Sequence, residues 1–368
     1  MELEVFDLAL NNIGLVDVYE EIKFAINYEK RSELIFIVDA SVENIELLKE
    51  DVILTKANDL ERGYIIKHFE FLDDNSSRLL IEAPSVNVIL NDRLILGQQS
   101  HSGNIEDVMK AFVNANAVNP ANPNRVIPNL IIGENTGIDI EVNETTIDVP
   151  LDEYQYELAN KYDISWDLLL DHENKKYVFT TWQGTDRTTE QNDNHHVVFS
   201  KELENIITQE YVTDNQHHKT TAIVAGEGDD TERVRLTVND ELAGYERKEI
   251  FVDARSLQSK YKDENDNEVT LTPEEYKSAL EEQGKNILTE YKPIRTFESE
   301  VDMYSQFEYG VDYFCGDKVT IENEDVGIIM HTRVVSAIEI YDKTKDDLKL
   351  DFGSSIPTLI DSIKRMVK

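Results

Sequence analysis

Cysteine, basic side chains and long apolar runs are all scarce in this sequence. Cys315 is the only cysteine, so no internal disulfide can form, and synthesis in a reducing cytosol fits that usage. No apolar stretch approaches the roughly 18 residues that a membrane-spanning helix needs. The N-terminus is acidic from Glu2 onward and lacks the basic start of a secretory signal. We therefore expect no disulfide scaffold, no membrane span and no conventional export signal.

The scarcity of basic residues is accompanied by an excess of acids. Lysine and arginine number 36, aspartate and glutamate number 74, and the formal net charge is −38. A site that grips phosphates needs clustered cations, and none is visible in the sequence, so we expect no specific nucleic-acid binding. Two interpretations of the acidity stay open. Either it keeps a passing phosphate backbone from sticking, or it only provides solubility.

The chain nevertheless has the material for folded cores. Hydrophobic residues make up 40% of it, and its 16 tyrosines and 13 phenylalanines are an aromatic content that disordered acidic chains lack. A length of 368 residues fits two or three domains.

Strand patterns dominate the first hundred residues. Apolar and more polar residues alternate from Ile22 to Tyr28, and strand-like runs also cover residues 13–19, 33–38, 63–72 and 78–90. Residues 73–77 have the composition of a hairpin loop, and a short helix is predicted over residues 42–49. Short strands in quick succession predict a small antiparallel barrel or curled sheet.

Helical signals interrupt the strands further along the chain. Asn104 is a helix cap before an apolar stripe over residues 105–113, and a second helix is predicted over 150–162. Thr272 begins a capping box for a helix that continues to about residue 291. Residues 163–182 have the pattern of a hairpin, and further strands are predicted at 220–225, 233–238, 249–252, 297–304, 318–321 and 326–341.

Two groups of residues suggest metal binding without meeting its requirements. The pairs His195-His196 and His217-His218 are either metal ligands or parts of solvated loops, and the second interpretation is favoured because neighbouring strand residues point apart. Asp263, Asn265 and Asn267 have the spacing of a calcium loop that Glu274 would close, but Glu268 stands where the sharp turn needs glycine. We expect no metal site.

Other catalytic templates fail in similar ways. Among 74 acidic residues, pairs of carboxylates with glycosidase spacing arise by chance, and Trp166 and Trp182 fit a core better than a sugar platform. The glycine-rich residues 226–230 lack the lysine of a phosphate loop and suit a turn between strands. Cys315 has no adjacent basic residue to favour a thiolate, which predicts a packing role. We therefore expect no enzyme, no catalytic residue and no cofactor.

A set of stretches, in order along nearly the whole chain, resembles one known family, the siphovirus gene-product-thirty-seven-like tail proteins. The stretches are VFD at 5–7, IGLVD at 13–17, NPANPNRVIPNL at 119–130, VVFS at 197–200, AIVAGEG at 222–228, FVDAR at 251–255 and YGVDYFCGDKV at 309–319. No single stretch is specific, but the ordered set is. Proteins of this kind resemble the hub that lies below a phage tail tube.

The resemblance implies an α+β, β-rich fold with two small β-barrel domains in each subunit. Three subunits would form a trimer, so that six barrels make a pseudo-hexameric ring, with helical or mixed domains at the periphery. The chain then divides into a tube-facing first barrel (1–99), a helical connecting segment (100–162), a mixed β region with part of the second barrel (163–256), a helical insertion (257–295), closing strands of the barrels (296–351) and a C-terminal amphipathic helix (352–368).

The resemblance also implies a structural role in the virion. The protein would be a baseplate hub or tail-tip ring that joins the sixfold tail tube to a threefold tip and lines the DNA-ejection channel. Its implied partners are its own copies in a homotrimer, a distal tail protein or the tube above, and a tip, fibre or receptor-binding protein below. DNA would pass without specific binding. Synthesis in the host bacterial cytoplasm and use in the tail tip follow from that role.

Several alternatives remain beside this interpretation. The same hub would serve a phage-derived bacteriocin or a contractile injection particle, and the acid pairs leave a cell-wall hydrolase at the tail tip as a rival of another class. Related modules begin longer tail-associated lysins or tail spikes, but this sequence ends at Lys368, so we expect no appended hydrolase. The predicted C-terminal helix contacts either the next tip component or its own subunit through Ile356, Leu359, Ile360, Ile363 and Met366.

Overall fold

The protein consists of two compact units, each assembled from segments that are distant in sequence. Unit 1 contains Met1–Ser85, Gln183–Asp214 and Ile294–Lys368, and unit 2 contains Val86–Trp182 and Asn215–Pro293. The computed structural model describes residues 1–73, 77–229, 233–262, 268–302, 305–323, 325, 327–343 and 346–353. None of the helices in these residues is long and apolar enough to cross a membrane.

Unit 1 is built of strands and one short helix. Helix α1 (Val42–Leu47) begins at Ser41, whose side chain accepts a hydrogen bond from Asn44 N. The strands, numbered along the whole chain, are β1 (Leu3–Phe6), β2 (Asn12–Val16), β3 (Glu21–Asn27), β4 (Glu33–Asp39), β5 (Ile53–Lys56), β6 (Asp59–Ile65), β7 (His68–Asp73), β8 (Ser77–Pro84), β14 (Val198–Phe199), β15 (Ile206–Asp214), β21 (Ile294–Val301), β22 (Lys318–Asn323), β23 (Ile328–Asp342) and β24 (Asp346–Gly353).

The strands of unit 1 form two antiparallel groups. The longer one has the order β15-β21-β24-β23-β3-β4-β8-β7, with β22 paired to β23 and β14 paired in parallel to β22. The shorter group has the order β6-β5-β1-β2. Strand β7 returns into β8 with Asp73 opposite Ser77, which confirms the predicted hairpin.

The core of unit 1 collects the inward-facing residues of both groups. On β3 and β4, Ile22 lies opposite Phe36 and Phe24 lies opposite Leu34, and all four side chains are buried. The alternation that predicted β3 therefore describes its buried face, because successive side chains of a strand point to opposite sides of the sheet.

One ion pair lies beside this core. Lys56 Nζ is 2.7 Å from Glu339 Oε1, and the two side chains are 11% and 7% exposed. The same ammonium lies 4.2 Å from the centroid of the Phe24 ring, and Tyr341 donates its hydroxyl to Glu339. These partners offset the cost of removing two charges from water.

Unit 2 combines strands with three of the helices. The helices are α2 (Ile105–Val113), α3 (Leu151–Tyr162) and α4 (Pro273–Glu290). The strands are β9 (Leu94–Asn104), β10 (Leu130–Ile132), β11 (Glu141–Pro150), β12 (Ser165–Asp171), β13 (Lys176–Trp182), β16 (Thr221–Ala225), β17 (Arg235–Val238), β18 (Glu249–Asp253), β19 (Lys260–Lys262) and β20 (Glu268–Thr270). They form four groups, β11-β9, β10-β13-β12, β17-β16-β18 and β19-β20.

The helix caps of unit 2 are those that the sequence predicts. The Asn104 side chain accepts a hydrogen bond from Glu106 N at the start of α2. Thr272 and Glu275 form a reciprocal capping box at the start of α4, with Pro273 in the first turn. Helix α4 packs on β16, and Gly284 permits the approach, since a Cβ there would lie 2.7 Å from a methyl group of Val224.

Some strand predictions are wrong at their ends. Residues 78–90 were expected to form one strand, but β8 ends at Pro84 and a 3₁₀-helix covers Val86–Asp92. Val86 and Leu90 are four residues apart and both buried, which is a helical spacing that a strand pattern also tolerates. The run at 13–19 is a strand only to Val16.

The β-rich α+β class is confirmed, but its barrels are not seen. Among the described residues, the strand orders of each unit are open paths, and no group of strands closes into a barrel. The contact-defined units change at residues 85, 182, 214 and 293. The finer division of the chain drawn from sequence stays a prediction.

Glu106, in the first turn of α2, is a buried carboxylate that organises unit 2. Its side chain is 1% exposed and accepts backbone N–H bonds from Thr136 (2.9 Å), Gly137 (2.8 Å) and Ile138 (2.9 Å). The hydroxyls of Thr136 and Thr181 donate to it as well. Burial alone raises the pKa of this carboxyl, but the hydrogen bonds outweigh burial and lower the pKa from 4.5 to about 2.

This pKa predicts an acid-sensitive contribution of Glu106 to the stability of unit 2. Because the folded pKa lies below the unfolded value, the contribution is full above pH 4.5 and is lost as the pH falls through about 2. The difference corresponds to about 3 kcal/mol. Trp166 and Trp182 both lie in unit 2, so their fluorescence in urea titrations reports its unfolding. Glu106→Gln should lower the midpoint at pH 7 and flatten its pH dependence, whereas Glu141→Gln, at an exposed site, should do neither.

Candidate assembly surfaces

The residues predicted to contact a partner lie outside the described part of the chain. Ile356, Leu359, Ile360, Ile363 and Met366 all follow residue 353, so their role remains a prediction. The calcium-like residues Asp263, Asn265 and Asn267 are likewise outside it.

The histidine pairs belong to polar loops. His195 Nε2 lies 2.9 Å from Asp312 O, and His196 Nε2 lies 2.7 Å from Gln191 O. Each imidazole ring is therefore hydrogen-bonded to a backbone carbonyl group. His218 Nδ1 lies 3.3 Å from Lys248 Nζ. Within the described ranges, no three His, Cys, Asp or Glu side chains are arranged to hold a metal ion.

Trp166 and the lone cysteine take packing positions, whereas Trp182 is half-buried. Trp166 is buried and stacks on Phe179 with ring centroids 5.5 Å apart, as the core interpretation predicts. Trp182 Nε1 donates to Asp167 Oδ2 at 2.9 Å. Cys315 is buried, with Sγ near the carbonyl oxygens of two strands.

The best-formed carboxylate pair is structural. Glu144 on β11 and Glu282 on α4 both bind Lys161 Nζ, at 2.6 and 2.7 Å. Tyr162 donates a hydrogen bond to Glu144. The pKa of the Tyr162 phenol is raised mainly by burial and also by this hydrogen bond. The Lys161 ammonium lies between the two carboxylates, and Glu144 is fully buried. These ion pairs therefore connect α3 to β11 and to α4.

Strand β7 is an open edge of the long sheet of unit 1. It pairs with β8 on one side and, among the described strands, with none on the other. Phe69 and Phe71 lie opposite Ile81 and Leu79, so they share the face of those core residues. Ile81 and Leu79 are buried, but Phe69 and Phe71 remain 39% and 52% exposed. The apolar face of the sheet thus continues to its edge without cover.

Two further edges of unit 1 carry exposed apolar side chains. Strand β15 ends the same sheet at its other side, and Ile207 and Tyr211 on it are exposed. Strand β2 ends the shorter group, with Ile13 and Leu15 exposed on one face. Open strand edges readily pair with another chain, so these edges, and β7 above all, are candidate assembly surfaces.

Sequence reasoning located these edges only in part. It predicted the β7–β8 hairpin, and the alternation of Phe69 and Phe71 was available as a signal. It could not show that β7 has no second neighbour, since pairing depends on distant segments. Strand β15 was missed because polar residues surround Tyr211 along it.

Residues 309–319 (YGVDYFCGDKV) contact the segment after β13, with the two backbones close together at Gly184 and Gly316. A Cβ on Gly184 would lie 1.8 Å from Gly316 O, so glycine is required at that crossing. Asp317, which is buried, accepts hydrogen bonds from Thr185 N at 2.7 Å and Arg187 Nε at 2.8 Å. Lys318 N then bonds Thr185 O at 2.9 Å. This crossing holds β22 and its neighbours in place.

Asp317→Asn should therefore destabilise unit 1. Asparagine would place an NH₂ donor where one carboxylate oxygen of Asp317 accepts a hydrogen bond from Arg187 or Thr185. Breaking a buried ion pair in this way should lower the free energy of unfolding by about 3 kcal/mol. Thermal unfolding followed by calorimetry measures the change. Asp193→Asn, an exposed site of the same unit, serves as the control, and equal effects of the two substitutions would refute the assignment.

Three solved structures share the fold of this chain. A prophage tail protein, gp18, from Listeria monocytogenes EGD-e is 13% identical, with a TM-score of 0.54, and the match covers 100% of this chain and 98% of that one. The 43 kDa tail protein of prophage MuSo2 from Shewanella oneidensis is 10% identical at a TM-score of 0.56, covering 96% and 98%. A tail protein from Neisseria meningitidis MC58 is 12% identical at 0.57, covering 96% of each chain.

The sequence comparison agrees with the shared fold. No curated protein matches the chain at a significant level. A family model described as Siphovirus ReqiPepy6 Gp37-like protein matches residues 2–354, almost the entire sequence. The chain belongs to the Siphovirus ReqiPepy6 Gp37-like protein family.

Proposed function

We propose that the protein is a structural subunit of a phage tail tip, a trimeric baseplate hub that joins the sixfold tube to a threefold tip. The observation that carries the proposal is the uncovered edge of unit 1, where Phe69 and Phe71 continue the core face into solvent. Family membership and the fold shared with tail proteins support it.

The open edges suit assembly of identical copies into a ring. Strands β7 and β15 are opposite ends of one sheet and are different surfaces. A contact between different surfaces of identical subunits repeats around an axis, and it closes into a ring when the rotation permits. Pairing through β7 would cover Phe69 and Phe71 and satisfy the outward backbone groups of that strand.

The charge of the subunit suits the channel of such a ring. A chain with a net charge of −38 repels a phosphate backbone, so DNA would slide through the channel without specific binding. The same charge makes the copies repel each other at low ionic strength, so screening by salt should favour the ring.

The partners of the proposed hub follow from its position. The tail tube or a distal tail protein would lie above it, and a tip, fibre or receptor-binding protein below. The place of action would be the tail tip of the virion, after synthesis in the host bacterial cytoplasm. A bacteriocin or injection particle would use the same subunit in the same way.

Native mass spectrometry tests the trimer and its edge. The wild-type chain should give a trimer, and the double variant Phe69→Lys with Phe71→Lys should shift it to monomer by placing two charges on the interface. The control, Val311→Lys with Ile329→Lys, alters two exposed apolar residues of unit 1 outside β7 and should remain trimeric.

Two results would contradict the proposal. One is a wild-type chain that stays monomeric even beside its tube and tip proteins. The other is clearing of host cell walls by the purified chain in a zymogram, which would favour the hydrolase instead.

A further inference from the structure

An open depression in unit 2 gathers basic side chains, against the overall charge of the chain. It has a volume of about 380 Å³ and lies between the later turns of α4, the segment before β16 and the segment after β17. Its lining combines lysines with aliphatic residues, namely Lys219, Lys285, Lys292, Val238, Leu242 and Leu288. No sequence window predicts this cluster, because its lysines come from separate elements.

Two of these lysines have no acidic partner within the described residues. Lys285 Nζ pairs with Glu281 and Glu282 at 2.9 and 3.0 Å, but Lys219 and Lys292 form no ion pair there. In a chain with 74 acids, two cations without acidic partners beside aliphatic side chains give the depression a local positive charge, opposite in sign to the net charge of the chain.

A loop held by hydrogen bonds presents an exposed aromatic side chain near the same depression. Arg247 donates to Asp240 Oδ1 at 3.1 Å, to Glu249 Oε1 at 2.7 Å and to Leu242 O at 3.2 Å, which holds the loop between β17 and β18 in shape. Leu242 lines the depression, and Tyr245, three residues later, is fully exposed. A tyrosine contributes a large contact area with few rotatable bonds, as in many protein interfaces.

We propose that this depression binds an acidic polypeptide segment of another protein that carries a large apolar side chain. The apolar side chain occupies the floor formed by Val238, Leu242 and Leu288. The flanking carboxylates pair with Lys219 and Lys292. The inference goes beyond the hub role and does not depend on the ring, since every residue that it uses lies within unit 2.

The lining favours a polypeptide over nucleic acid. Single-stranded nucleic acid is held by a run of aromatic rings and arginines on which successive bases stack. The lining contains no Phe, Tyr, Trp or Arg, and Tyr245 of the adjoining loop is a single ring outside it. Aliphatic lining residues beside two ammonium groups without acidic partners match an apolar side chain flanked by carboxylates. Charge complementarity therefore selects the acidic segment as the occupant.

Fluorescence anisotropy with the full-length chain tests this inference. The probe is a labelled synthetic peptide in which glutamates flank a pair of leucines, and it should bind more weakly as salt is added. The double variant Lys219→Glu with Lys292→Glu should weaken binding by about tenfold or more, since each site changes from attraction to repulsion. Leu242→Gln should also weaken peptide binding, because it replaces an aliphatic lining residue with a polar one.

The controls separate the depression from the general charge of the protein. Lys260→Glu with Lys277→Glu changes the net charge equally at exposed sites of unit 2 and should leave affinity unchanged. A peptide with serine in place of leucine should bind much more weakly. The inference fails if the Lys219 and Lys292 variant binds like wild type, if the control variant loses as much, or if a labelled DNA strand binds and the peptide does not. Oligomeric state is measured separately, so failure here leaves the hub proposal untouched.

Discussion

An open strand edge that carries the core face of its sheet leaves apolar side chains and backbone groups in water, and the proposed assembly depends on this exposure. The edge is β7, where Phe69 and Phe71 lie beside buried Ile81 and Leu79 but stay in water. Isolated chains usually protect such edges with lysine, proline or a bulge. Residues 68–73 (HFEFLD) contain neither lysine nor proline, and Glu70 lies on the face opposite to Phe69 and Phe71, which suits a strand that another subunit covers.

A small number of buried charged side chains connect segments that are distant in sequence. Glu106 ties α2 to the segment before β11, Asp317 ties β22 to the segment after β13, and Lys161 joins Glu144 to Glu282. Each has enough donors or acceptors to offset its desolvation. Since so few of the 74 acids are used in this way, most of the negative charge is left on the surface, where it repels DNA and makes any cluster of unpaired lysines distinctive.

The sequence predicts those features that are determined locally. The Asn104 cap, the Thr272 capping box and the hairpins at 73–77 and 163–182 are short-range signals, and all are present. Features that depend on distant segments could not be predicted. These include the pairing of β9 with β11, the contact of Gly184 with Gly316, and the meeting of Lys219 with Lys292. The edge character of β7 belongs to this second group, because it depends on which strands are absent beside it.

Hydrogen–deuterium exchange over residues 68–73, compared between the isolated subunit and the assembled particle, measures whether β7 is paired in the assembly. Backbone N–H groups of an edge strand that point to solvent exchange quickly, and pairing with another chain protects them. We expect rapid exchange in the subunit and strong protection on assembly. Equally rapid exchange in both states would show that β7 is not the assembly edge.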